Sequence, residues 1–173
     1  MKKNNAGMSI VEIVVVVAII AILAGVGGYG LGQMSGFRAR ECASKIASSL
    51  TQNKVKTLGK AKETGDMAWE IYRSGNEFYV RTVQGIKSGS EVYTDEENVN
   101  DGTLKVGYSN DMSGDPTWLE DGDSLRLCYN RSSGSLCDTT GTVTAVKRIL
   151  VQYGVKTYTI EIKALTGKIV SNA

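Results

Sequence analysis

From Ile13 to Leu31 the chain reads IVVVVAIIAILAGVGGYGL with no charged residue, and none follows until Arg38. At about 1.5 Å per helical residue, such a run reaches across a hydrocarbon layer of about 30 Å. A backbone in lipid satisfies its N–H and C=O groups internally, so the run is expected to be an α-helix in spite of four consecutive valines. Lys2 and Lys3 precede it and favour a cytoplasmic N-terminus with the rest of the chain outside, while Arg38 and Arg40 at the far end oppose that bias.

Composition removes several functions. The chain of 173 residues has no His, which excludes Ser-His-Asp triads and most zinc hydrolase sites. With 20 Lys+Arg against 18 Asp+Glu and no strongly basic run, it lacks the footprint of a duplex-DNA binder, and no specific nucleic-acid partner is expected.

Glu12 stands at the entry of the apolar run, where an ionised, unpaired carboxylate near lipid costs several kcal/mol. Two readings are open. Glu12 reaches outward into the headgroup layer, or it meets a cation at its own depth. A cut before Met8 creates such a cation, since the new α-amino group lies about one helical turn from Glu12 and can reach that carboxylate on a staggered neighbour.

The residues around that position carry a family likeness. A short polar leader, Met1-Lys2-Lys3-Asn4-Asn5-Ala6-Gly7, is followed by Met8-Ser9-Ile10-Val11-Glu12-Ile13 and the apolar run to Ala24. This resembles the prepilin signature of type IV pilins and pseudopilins. The resemblance implies a prepilin peptidase that cuts after Gly7 and N-methylates Met8, and a Glu12 that neutralises the N-terminus of an adjacent subunit. It also implies other pilin subunits, an inner-membrane assembly platform and membrane lipid as partners. Two departures stand out: Met8 replaces the usual Phe, and Tyr29 lies near the place where major pilins often carry Pro. A Sec signal cleaved near Gly25-Val26-Gly27 is the rival reading, but Glu12 is out of character at the mouth of its apolar region.

Ala24, Gly28, Gly32 and Gly36 recur every fourth residue and form one ridge of small residues along the helix, a pattern that allows close helix packing. Ala39, Ala43, Ile46, Ala47 and Leu50 continue at helical spacing with polar residues between, and the pattern fades at Leu58-Gly59. The remainder reads as strands: Met67 to Arg73, Glu77 to Gln84, Leu104 to Tyr108, Ser124 to Asn130, Ala145 to Gln152, Lys156 to Leu165 and Lys168 to Val170. The fold class is therefore α+β, a long N-terminal helix whose second half lies on a mostly antiparallel sheet. The organisation is a leader at 1–7, an apolar helix at 8–36, an amphipathic helix at 37–60 and an extracytoplasmic β-rich domain at 61–173. The C-terminal ALTGKIV hairpin also resembles the H-type minor pseudopilins of type II secretion.

Cys128 and Cys137 flank a symmetric hairpin turning at Ser132-Ser133, which sets them opposite each other and predicts a disulfide in an oxidising compartment. Cys42, on the apolar edge of the helix, reads as a small buried hydrophobe. The acidic stretches at 95–102 and 111–123 read as solvated loops, with Asp95, Asp101, Asp121 and Asp123 the candidate ligands if calcium binds; no other cofactor is expected. Trp118 is either an exposed contact residue or an aromatic folded back on the sheet.

The reading is a structural subunit of a type IV pilus or pilus-like filament, and no enzyme: membrane-stored with its N-terminus cytoplasmic, then surface-exposed after processing. The alternatives are a minor pseudopilin of a secretion or DNA-uptake machine and, from another class, a membrane-anchored or Sec-secreted binding domain.

Overall fold

The computed structural model describes residues 10–59, 67–85, 91–100, 103–138 and 146–172, and the side chains of all of these except 26–35 and 172. A 50-residue helix, α1, spans Ile10–Gly59. Ten strands follow: β1 (Met67–Ser74), β2 (Glu77–Gln84), β3 (Val92–Asn100), β4 (Lys105–Ser109), β5 (Thr117–Trp118), β6 (Ser124–Tyr129), β7 (Leu136–Cys137), β8 (Arg148–Tyr153), β9 (Lys156–Lys163) and β10 (Lys168–Asn172). The chain divides into two compact units, residues up to Phe37 and residues from Arg38.

In the second unit α1 buries Ala39, Cys42, Ala43, Ile46 and Leu50 in one stripe, the spacing that the sequence pattern predicts. Each large aliphatic side chain so buried contributes about 1.5–3 kcal/mol relative to exposure. Gly59 ends the helix, with Lys56 in its last turn facing the negative end of the dipole.

The expected single sheet is instead two antiparallel sheets of five strands, ordered β3-β2-β1-β6-β7 and β10-β9-β8-β4-β5. Local pairing explains most of each. Gly75 at φ 61 closes the β1–β2 hairpin and Gly154 at φ 56 closes β8–β9, each in a two-residue turn that demands a left-handed residue. The division into two sheets comes from non-local pairings, β6 on β1 and β4 on β8, which no local pattern encodes. Both sheets turn alternate residues into one core with the helix stripe: Trp69, Ile71, Phe78, Val80 and Leu127 from the first, Val106, Ile149, Val151 and Ile160 from the second. Trp69 Nε1 donates to Ser49 Oγ at 3.0 Å, so the buried indole finds its partner on the helix.

Three further expectations are corrected. The stretch expected as an acidic loop at 95–102 lies largely in β3, an edge strand with its side chains mostly exposed and a bulge around Asp95 at φ 56. Acidic side chains on an edge strand discourage pairing with another chain, so high charge here marks a protected edge and not a loop. The second acidic stretch contains β5, which pairs with β4. The strand expected from Ala145 begins at Arg148, while Ala145 itself lies outside the described residues.

Candidate functional site

The first unit presents α1 with its apolar side chains uncovered. Ile10 is 81 % exposed, Ile22 66 % and Leu23 65 %, and the residues between them are exposed on every face. A helix that is apolar all round requires lipid or other protein against it, because this much contiguous apolar surface does not stay in water. Glu12 lies in its first turn, exposed among these residues and near the positive end of the helix dipole. Among the described residues no helix is long and apolar enough to cross a membrane. Described side chains of the apolar run end at Gly25, so the expected span of 8–36 is carried by them only in part. Gly7 and Met8 lie outside the described residues. Ala24, Gly28, Gly32 and Gly36 all belong to α1; Ala24 is exposed, and the surroundings of Gly28 and Gly32 lie outside the described residues.

In the second unit the buried stripe of α1 turns polar toward its end, with Asn53 and Thr57 continuing below Leu50. Thr57 Oγ1 donates to the Asn53 carbonyl at 2.9 Å. Asn53 Nδ2 donates weakly to Thr82 Oγ1 at 3.4 Å, and its Oδ1 has no partner. Above them, between α1 and β3, lies a polar groove of about 420 Å³. Lys45 and Lys56 stand on its helix side and Asp95, Glu96 and Glu97 on its strand side.

The opposite face of the first sheet carries an ion-pair network. Glu70 is 1 % exposed and sits directly between Arg81 on β2 and Arg126 on β6, with Nε–carboxylate distances of 2.5 and 2.6 Å. Arg126 also grips Glu91 at 2.6 and 3.1 Å. That grip, with a hydrogen bond from Tyr93, holds the Glu91 carboxyl at about 2, well below its usual range. The Arg81 guanidinium lies 4.2 Å from the Tyr72 ring and 3.7 Å from the Tyr93 ring, an aromatic sandwich around a cation. A buried carboxylate held by two guanidinia is tolerable where one alone is not. Sequence reasoning missed this network. The β1–β2 register pairs Glu70 with Arg81 and follows from the two-residue turn, so half of it was available; Arg126 arrives through the non-local β6 pairing.

β6 and β7 set Cys128 opposite Cys137 and Tyr129 opposite Leu136, the expected register. The expected disulfide is absent, and both residues are buried thiols. Register brings two sulfurs together, but the bond also needs an oxidant to take two electrons, and this pair is sealed with Ala68 and Val83 in a small apolar cluster. The hydrogen bond between the sulfurs, and then burial, push the Cys128 thiol far up. Cys42 is buried against the core as expected.

The acidic candidates are used locally. Asp95 pairs with Lys56 at 2.7 Å, which holds its carboxyl below the usual range. Asp121 accepts the Gly75 N–H at 2.6 Å and Asp123 the Glu120 N–H at 2.9 Å, both as turn caps. Asp101 lies outside the described residues. Among the described residues no group of three or more His, Cys, Asp or Glu could hold a metal ion. Trp118 folds back on the sheet: its ring lies where a Cβ at Gly107 would stand, 2.8 Å from that position.

Residues 2–28 match the model of the prokaryotic N-terminal methylation motif, which is characteristic of type IV pilins and pseudopilins. No curated protein and no solved structure matches the chain.

Proposed function

We propose that this chain, whose N-terminus carries the type IV pilin and pseudopilin methylation motif, is a structural subunit of a pilus or pilus-like filament. The observation that carries the reading is the joint placement of that motif, the exposed apolar helix face from Ile10 to Leu23, and a carboxylate in its first turn. Before assembly lipid covers the apolar face, with the N-terminus in the cytoplasm. A prepilin peptidase removes Met1 to Gly7 and methylates Met8, and an inner-membrane platform draws the subunit out.

On assembly, lipid contacts are exchanged for contacts with other copies of the helix, an exchange with little net hydrophobic driving force. Direction then comes from electrostatics: the Met8 ammonium of an incoming subunit meets Glu12 of one already in place, which removes two unpaired charges from an apolar environment at once. The β-rich unit coats the outside, and the role is structural and not catalytic.

Mass spectrometry of the mature N-terminus tests this. A chain beginning at methylated Met8 is expected. Retention of Met1 would mark a simple anchored domain, and a start near Gly28 a Sec-secreted one; either result overturns the filament reading.

A further inference from the structure

We propose that the groove between α1 and β3 binds a small uncharged polyol, such as a saccharide unit, through Asn53 at its floor and the facing Lys45 and Glu97 walls. The inference does not depend on the filament reading. Its volume of about 420 Å³ falls within the range of about 300–1,000 Å³ typical of small-molecule sites. Asn53 is 1 % exposed, and its Oδ1 is a buried acceptor with no donor, a condition that a native fold rarely leaves unused.

The walls select the chemistry. Lys45 and Lys56 line the helix side, and Asp95, Glu96 and Glu97 the strand side. An anion entering the groove lies against Asp95 and Glu97, and a cation lies against two ammonium groups, while Glu96 turns its carboxylate to Arg81 on the other face of the sheet, 3.7 Å away. The lysines are also partly engaged already, Lys56 with Asp95 at 2.7 Å and Lys45 with Glu41 at 3.3 Å. A neutral molecule bearing several hydroxyls meets both walls without repulsion, since each hydroxyl donates to a carboxylate or to Asn53 Oδ1 and accepts from a lysine. Ser48 and Gln52 on the exposed rim add groups of the same dual kind.

The test is amide chemical-shift titration of the full chain in phosphocholine micelles, which avoid sugar-headed detergents. The probes are the methyl glycosides of glucose, galactose and N-acetylglucosamine, with propylamine and propionate as charged controls. At least one glycoside is expected to give saturable shifts confined to Ser48, Gln52, Asn53, Thr82 and Glu97, with a dissociation constant on the order of 1 mM. Glu97→Ala with Ser48→Ala, both at exposed positions, is expected to weaken that binding about tenfold. Asn53→Leu is expected to abolish it, read beside the spectrum of the folded protein. No saturable shift with any glycoside, equal shifts with either charged control, or unchanged affinity in the double variant overturns the proposal.

Discussion

Lys54 Nζ donates to the main-chain oxygens of Thr166 and Gly167 at 3.0 and 3.1 Å, tying the end of α1 to a hairpin more than a hundred residues away. The same ammonium lies 5.9 Å from the Tyr129 ring, and Leu136 N donates to Ala164 O at 2.7 Å beside it. Helix, first sheet and second sheet therefore meet at one place, held by main-chain acceptors and without a covalent link. Replacing Lys54 with Met keeps the aliphatic stem and removes the donor. Hydrogen bonds from a charged group justify an expected loss of about 1–2 kcal/mol. Urea midpoints of the two proteins measure it, and equal midpoints would show that the tie contributes nothing.

Gly167 is required at that junction for two separable reasons. Its φ is +57, and an added Cβ would stand 2.1 Å from Gly134 O and 2.8 Å from the Tyr129 ring. Gly154 has a similar φ of +56 but opens onto empty space. Gly154→Ala should cost only the left-handed strain, about 1–2 kcal/mol. Gly167→Ala adds a clash against backbone that cannot swing away, and should cost about 3 kcal/mol or more. Thermal unfolding of both variants decides the matter; comparable losses would mean that the hairpin yields to the extra methyl.

How much of this was legible in the chain depends on distance along it. The helix stripe through Ile46 and Leu50, the C-terminal β9–β10 hairpin and the Cys128–Cys137 register all follow from spacing within about twenty residues, and each stands as expected. β3 was missed because its exposed carboxylates obscure the alternation by which strands are recognised. The two-sheet division and the Arg126 half of the Glu70 network depend on β4 and β6 finding distant partners, and the groove over Asn53 depends on α1 lying beside β3; no local period records those choices. Glu12 stands out for the opposite reason: a carboxylate at the head of an apolar run conflicts with its surroundings, and that conflict is why a role in assembly is proposed for it.

The Arg126 grip on Glu91 gives a pH dependence of known sign. The Glu91 carboxyl falls from a usual value of 4.5 to about 2 in the folded protein. A depressed folded-state value means that the contribution is fully present above pH 4.5 and is lost as pH drops toward 2. Wild-type protein is therefore expected to exceed Glu91→Gln in stability at pH 7, with the gap narrowing through pH 4 and 3 and closing near 2. Urea titrations at those values check it. A gap independent of pH would mean that the Glu91 carboxylate has no special relation to Arg126.

The buried thiols predict a labelling pattern. Cys42, Cys128 and Cys137 are each about 1 % exposed or less, and the Cys128 thiolate is strongly disfavoured. The hydrogen bond between the Cys128 and Cys137 sulfurs favours the Cys137 thiolate, so the barrier shared by all three is burial, and iodoacetamide should modify the native protein very slowly at pH 8. In denaturant without reductant all three cysteines should be alkylated. Intact mass reads the outcome: a single modification would reveal a Cys128–Cys137 bond and overturn the thiol assignment.

The last prediction concerns Glu12, which is exposed in the first turn of α1 with uncovered apolar residues around it. If its partner is the Met8 ammonium of another copy, Glu12→Ala should leave the β-rich unit folded and the subunit in the membrane, since the apolar run is untouched and even more favourable in lipid. Incorporation into filaments should fall by about tenfold or more, because each incoming ammonium then enters an apolar bundle unpaired, a cost of at least a few kcal/mol. Glu12→Gln separates charge from shape: it preserves size and hydrogen bonding and should fail nearly as badly. Quantifying subunits in sheared surface fractions against membranes for wild type and both variants supplies the measurement. Filaments that accept Glu12→Gln at the wild-type level would show that the position is read by shape, and the ammonium–carboxylate mechanism would have to be abandoned.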